Sequence, residues 1–340
     1  MNPSASKSCV VILHPPLNSE STPDVSDVSD QANLVRTALT ELGYSVDLQA
    51  VRNDFYAQLS QLKQRQPAFV FNLVEELYGK SELLPVVPAC MAALKLPFSG
   101  ASAETLTLTT NKITAKRLLK IAGIATPAWI DQYSTEQINQ DGDYLIKPVS
   151  EEGSVCLDEY SVCRGDELNH RISALKNSSV SFFAEEFLKG REFNVSILGT
   201  PGNYVTFPVA EMIFSNYPDN KAKILGYKAK WNQDSFEYLH TSRQFNTLTD
   251  SPGLNAQLHQ IATRCGKVFH IEGYFRVDFR LDEKGNPHVL EINANPCIAP
   301  DSGFIAAAAM AGITPRELVR HIIHASPFIS EGECKSGIAK

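Results

Sequence analysis

Residues 274–281, YFRVDFRL, alternate strictly, with Arg276, Asp278 and Arg280 on one side and Val277, Phe279 and Leu281 on the other. A period of two predicts a strand whose apolar side lies on a core. Turn residues at 283–286 lead into a second strand, 287–293, in which Glu291 and Asn293 fall on the same polar face. A chain carrying this hairpin must build a sheet that is greasy below and ionic above. Alternation alone leaves two uses of the ionic face equally open, a solvated surface or a site. The irregular stretch 295–304, with Pro296, Pro300 and Gly303 directly after the carboxylates, favours a site. Asp278, Glu291 and Asn293 offer hard oxygen ligands of the kind magnesium accepts when its other oxygens come from water and phosphate. Arg276 adds a fixed cation that could meet an oxyanion.

The first hundred residues read as alternating strand and helix. A strand is predicted at 9–13, followed by a polar loop at 18–30. A helix follows, with Leu34, Val35, Leu39 and Leu42 on one face and Gly43 at its end. Next come a buried strand at 68–74, an apolar helix at 83–94 and a short strand at 97–99. That order predicts a small parallel sheet. An amphipathic helix at 111–122, closed by Gly123, opens a second α+β unit. It holds strands at 144–147 and 181–187 and a small-residue loop at 150–155. Residues 192–212 are rich in strand signals, and 216–242 are polar and irregular, long enough for a flap. An Ala-rich helix follows Ser302. Another starts at Thr314, where Pro315 and Glu317 complete a first-turn proline and a capping box. The expected division is 1–108 for an N-terminal parallel-sheet domain, 109–190 and 191–327 for two further subdomains, and 328–340 for a tail.

With 31 basic and 38 acidic residues, the net charge of −7 gives no general attraction to nucleic acid or to an anionic membrane. Any phosphate must be held locally. Lys112 at a helix start and Lys147 at a strand end are candidates, with Lys116 between them. Gly153 and Ser154 could add backbone N–H groups. There is no GxxxxGK[ST] and no GxGxxG, so P-loop and dinucleotide sites drop out. Seven scattered cysteines without a CxxC pair, and histidines without HxH or HxxxH spacing, argue against a disulfide framework and against a thiolate or histidine zinc site. No apolar run spans a bilayer, and a cytoplasmic location is expected.

The segments NKITAKRLLKIAGIATPAW, LIKP with its small-residue loop, AEEFLKGREFNVSILG and FRVDFRLDEKGNPHVLEINANP resemble, in order and spacing, the ATP-grasp ligases related to D-alanine–D-alanine ligase. The likeness covers residues 71–323. It implies an α/β (α+β) fold of three domains, with two ATP-grasp subdomains sandwiching ATP. It implies an activity in which ATP phosphorylates a donor and an amine attacks the product, releasing ADP and phosphate. Carried over by position, Lys112, Lys147 and Ser154 would meet the ATP phosphates. Glu185, Glu186, Phe187 and Leu188 would form the hinge at the adenine, and Glu192 would take the ribose hydroxyls. Asp278, Glu291 and Asn293 would hold two magnesium ions, with manganese as a substitute. Arg276 and Lys230 would serve the transferred phosphate. Ser302 and the backbone of Gly303 would bind the acceptor carboxylate. By analogy with relatives a homodimer is expected.

The chain departs from the resemblance at the donor end. After its first strand it reads HPPLNSESTPDVSDVSD, without the Gly-Gly loop whose Glu meets the ammonium group in D-alanine–D-alanine ligases. Gly153 stands where the lid Ser is expected, and Trp231 follows Lys230 in place of a Tyr. A site unable to pair a buried ammonium rejects it, so the expected donor is not D-alanine. Specialised metabolism offers one such use, the joining of serine or threonine to mycosporine-glycine. Two other readings stay open: a genuine D-alanine–D-alanine ligase, and a nucleotide-binding protein without turnover. Near the acceptor, Asp301 could take a hydrogen bond from the ammonium or simply face a helix start.

Overall fold

The structure is a computed structural model that describes residues 8–16, 23–131, 138–151, 153–154, 156–175, 178 and 180–329. Its first unit contains β1 (Cys9–His14), α1 (Pro23–Glu41), β2 (Ser45–Ala50), α2 (Phe55–Arg65), β3 (Phe69–Asn72), α3 (Val86–Ala93) and α4 (Ala103–Thr110). The strands form a parallel sheet in the order β2-β1-β3. Helix α1 begins inside the stretch expected as a loop. Pro23 opens it, where a missing N–H costs nothing, and the buried Val28, Gln31 and Ala32 continue the stripe of Val35 and Leu39 by one more turn. Polar composition hid that turn. Strand β2 and helix α2 carry weak periodicity and had no sequence expectation. The strand expected at 97–99 is a single bridge from Phe98 to Val70.

The second unit contains α5 (Lys112–Ile121), β4 (Trp129–Ile130), β5 (Asp143–Pro148), β6 (Val162–Arg164), α6 (Gly165–Ala174) and β7 (Phe182–Glu186). Its antiparallel sheet runs β4-β7-β5-β6. The third unit holds β8 (Glu192–Thr200), β9 (Asn203–Thr206), β10 (Ala210–Phe214), α7 (Tyr227–Trp231), α8 (Phe236–Leu239), β11 (Thr241–Phe245), α9 (Pro252–Val268), β12 (Gly273–Leu281), β13 (Pro287–Asn293), α10 (Gly303–Met310) and α11 (Pro315–Ala325). The flap stretch therefore contains two short helices and is not irregular throughout. The large sheet runs β11-β10-β8-β12-β13, with β9 paired to β8. No helix among the described residues is long and apolar enough to cross a membrane.

The two faces of the large sheet have different fates. Phe193, Val195, Val277, Phe279 and Val289 point to one side, where Leu106, Ala115, Leu119, Leu258 and Ala262 from α4, α5 and α9 cover them. On the other side the register pairs Tyr274 with Leu198, Arg276 with Ser196, Asp278 with Asn194 and Arg280 with Glu192. The apolar end of that face, Leu198 and Tyr274, lies under the first unit. It shares a core there with Val10, Ile12, Phe69, Phe71, Phe207, Phe304 and the returning helix α11. The polar remainder is left open. Phe304 of α10 meets Phe207 edge to face at 5.6 Å and Tyr274 at 5.5 Å, which seats α10 on the apolar end of the large sheet.

Phe207→Ala should therefore cost about 3–5 kcal/mol, read as a lowered urea midpoint. Val205→Ala, at an exposed position two residues away, should stay within about 0.5 kcal/mol.

Candidate active site between two sheets

Between the second sheet and the polar face of the large sheet lies an open cleft of about 700 Å³, solvent space included. Lys112, Lys147, Ser154, Glu185, Glu192, Lys230, Asp278 and Glu291 line it, together with Glu151, Gly153 and Arg280. The hairpin register sets Asp278 opposite Glu291 and Arg276 opposite Asn293. Arg276 grips Asp278 through two bonds of 2.7 and 2.8 Å, and the Asn194 amide adds a third at 2.8 Å. Lys112 Nζ lies 3.8 Å from Glu291 and donates to the Glu151 carbonyl at 2.7 Å. Burial works to raise the Glu291 pKa, but Lys112 first, then Lys147, Lys230 and Arg276, outweigh it and bring it to about 2.

Asp278, Glu291 and Asn293 thus present ionised and amide oxygens on one face, a donor set that fits magnesium. Asp278 shares its oxygens with Arg276, and Asn293 Oδ1 also accepts the Asn295 N–H at 2.9 Å. Metal bound there would neutralise charge on phosphate oxygens.

Lys147 and Lys116 both reach Glu185, each at 2.6 Å, with all three side chains buried. Glu185 is therefore a shared anion that holds two lysines at the cleft floor, and its side chain is not turned to the hinge. Its carboxyl is lowered by the two lysines against the upward push of burial. Lys116 falls from 10.5 to about 8, chiefly by desolvation, with Glu185 opposing. In the hinge, the N–H groups of Glu186 and Phe187 already donate to the Ala128 and Asp143 carbonyls. Leu188 is buried beyond them. Gly190 packs so closely on β12 that a Cβ there would strike the Leu281 carbonyl, which ties the segment after β7 to β12. Glu192 is buried, and burial raises its pKa with Arg280 opposing.

Lid and flap are clasped. Trp231 Nε1 donates to the Gly153 carbonyl at 2.9 Å, and Ser154 Oγ donates to the Leu225 carbonyl at 2.7 Å. Ser154 thus gives its hydroxyl hydrogen to the flap. Glu159, in the lid, pairs with Lys221 and Lys228 of the flap. Asp301, Ser302 and Gly303 lie on a separate wing at the start of α10, where Ser302 Oγ accepts the Ile305 N–H. Cys297, on the same turn, donates its thiol to Asp27 at 2.8 Å. Burial and then Glu75 and Asp27 raise its pKa well above the usual thiol value, which favours the thiol over the thiolate.

Sequence reading missed three contributors. Arg280 pairs with Glu192 at 3.5 Å and covers the Phe187 ring at 5.0 Å; its place on the polar face was the available signal. Asn194 and Arg243 gave none, because only the register of neighbouring strands brings them in.

A fold of two antiparallel sheets closing on a lysine-bearing cleft, with paired carboxylates on a strand hairpin, defines the ATP-grasp class. The D-ala D-ala ligase C-terminus family matches residues 120–324. The chain belongs to this family, whose members are ATP-dependent carbon–nitrogen ligases. It is 29% identical to the D-alanine–D-alanine ligase of Maridesulfovibrio salexigens, over 85% of this chain and 90% of that one. It is 28% identical to that of Carboxydothermus hydrogenoformans, over 84% and 89%. The crystal structure of the Bacillus anthracis D-alanine–D-alanine ligase complexed with ATP superposes with a TM-score of 0.69 at 20% identity, over 94% of this chain and 97% of that one.

Removing Glu185 leaves two buried lysines without their counter-ion, so Glu185→Leu should cost about 3–5 kcal/mol in urea unfolding. Lys116 carries a second expectation. Its folded pKa of about 8 lies below the unfolded 10.5, so between those values the unfolded chain binds more protons and stability rises with pH. Unfolding midpoints followed from pH 7.5 to 10.5 should show this rise in the parent protein, and Lys116→Met should lack it.

Proposed function

We propose that this chain phosphorylates a small-molecule donor other than D-alanine with ATP and couples it to the amine of an amino acid. The observation that carries the ligase reading is the convergence of Lys112, Lys147 and Lys230 on the face that bears Asp278 and Glu291. A donor oxygen attacks the γ-phosphorus, the bond to the β-phosphate oxygen breaks and ADP departs. The amine nitrogen then attacks the activated carbon, phosphate leaves, and the surplus amine proton goes with it. Lys112 and Lys147 position phosphate oxygens. Lys230, carried on the clasped flap, and Arg276 stabilise the transferred group, since fixed cations beside developing negative charge lower the barrier. Asp278, Glu291 and Asn293 would hold two magnesium ions, with manganese as a substitute. Glu192, oriented by Arg280, takes the ribose.

The donor reading rests on the flap and the first loop. Trp231 has one polar hydrogen, already given to Gly153, and an indole N–H cannot accept a bond from an ammonium group. Mycosporine-glycine with serine or threonine is one pair consistent with such a pocket. A second reading, a genuine D-alanine–D-alanine ligase, draws support from Asp27 and Glu75, whose negative charges both reach Cys297 on the turn after β13.

The test is ADP release from magnesium-ATP across amino acids, with and without candidate donors. Arg276→Ala should lower kcat by about 10²- to 10³-fold, and Glu291→Gln should abolish the metal-dependent rate. Absence of ADP under every combination would sink the ligase reading. Robust D-alanyl-D-alanine formation from D-alanine alone would overturn the donor assignment and leave the ligase assignment standing.

A further inference from the structure

Arg243 stands on the edge strand β11, opposite Met212, and its guanidinium crosses to the start of α10. Nη1 donates to the Asp301 carbonyl at 3.3 Å. A Cβ at residue 303 would lie 3.4 Å from Nε and 3.6 Å from both Cζ and Nη2. The guanidinium plane thus lies against Gly303, in the space that a side chain there would contest. Among the described residues no carboxylate forms an ion pair with Arg243. Its nearest charged company is Arg276, a like charge, and Asp301, an opposite one. Arg276 already commits both arms to Asp278. With Arg276 committed to Asp278 and Arg243 held, among the described residues, only by the Asp301 carbonyl, the Arg243 guanidinium keeps a fork of donors that suits a carboxylate.

We propose that Arg243 binds the α-carboxylate of the acceptor amino acid and selects acceptors that carry one. The inference rests on the ligase reading and deepens it. With the carboxylate held at Arg243, the acceptor amine is directed toward Asp301 or toward the activated donor near Arg276, and both lie within the electrostatic reach of the same guanidinium. Arg243 is a specificity residue here; the reacting phosphate belongs to Arg276 and Lys230.

Binding separates this inference from turnover. Glycine, L-serine, L-threonine and D-alanine, each beside its carboxamide, are titrated into the protein holding magnesium and a non-hydrolysable ATP analogue, with Kd read by calorimetry. The parent protein should bind at least one acid and reject the matching amide. Arg243→Ala should weaken binding of that acid by about 10- to 100-fold and lose the preference for acid over amide, while its Kd for the ATP analogue stays at the parent value and so reports a folded protein. Arg243→Lys should recover part of the affinity, because an ammonium keeps the charge and loses the fork. An unchanged acid Kd in Arg243→Ala, a retained preference in that variant, or no preference in the parent protein each overturns the assignment. Glu291→Gln and ADP release test the ligase reading separately, since neither depends on the acceptor Kd of Arg243 variants.

Discussion

The pairing of β12 with β8 on one side and β13 on the other is the constraint on which the rest of the molecule depends. It fixes a period of two over three adjacent strands, so that every second residue goes into a dry core and every other one into the cleft. A slip of one residue would send Val277 and Phe279 to water and drive Arg276, Asp278 and Arg280 against α5 and α9. The cost of burying those charges unpaired makes the observed register the only economical one. Because Glu192 and Asn194 lie on the same face, the register also delivers the groups that the guanidiniums and carboxylates need as partners. The fold and the polar site are one solution to the same alternation.

What could be read in advance follows from that physics. The hairpin, the helix start after Ser302, the cap at Thr314 and the amphipathic α5 are local patterns, and the structure has them within a residue or two of expectation. Strand β2, helix α2 and the first turns of α1 were not legible, because their residues are polar or only half-buried and tertiary packing decides them. Among site residues, those that share a strand with the motif could be grouped by period alone. Lys116 and Glu185 sit in separate elements, and neither sequence position says that one carboxylate serves two lysines. Arg243 is farther still from legibility, since it belongs to an edge strand whose only tie to Gly303 is spatial.

The clasp between lid and flap adds to the small aromatic cluster of Phe214, Tyr217 and Phe236 in ordering a largely polar segment. Trp231 and Ser154 each satisfy a backbone carbonyl across the gap, and the Tyr227 N–H reaches the Leu157 carbonyl at 2.8 Å. Gly226 permits this, because a Cβ there would press on that same carbonyl at 2.7 Å. Glu159 is drawn down to about 2 by its bonds to Lys221 and Lys228, so the clasp is charged throughout the neutral range. Lys230 lies one residue from Trp231 on the same short helix. The indole bond therefore limits where the lysine can reach, and a change of residue at 231 alters the aim of 230 as well.

The chain as a whole is acidic, yet its cleft gathers fixed cations. Lys112, Lys147, Lys230 and Arg280 line it beside Glu151, Glu185, Glu192, Asp278 and Glu291, with Lys116 and Arg276 paired to Glu185 and Asp278, and burial removes the screening that would blunt these charges at a surface. Glu185 and Asp278 hold Lys116, Lys147 and Arg276 in place, so the cations stand at fixed points and need no reorganisation to meet a ligand. Such a cleft attracts a polyanion small enough to enter and offers nothing to one that cannot. A nucleotide with its metal meets that description and a nucleic acid does not, because the exposed surface carries the acidic surplus. The distinction between phosphate held locally and phosphate attracted globally thus comes from pairing and burial, and net charge alone would have hidden it.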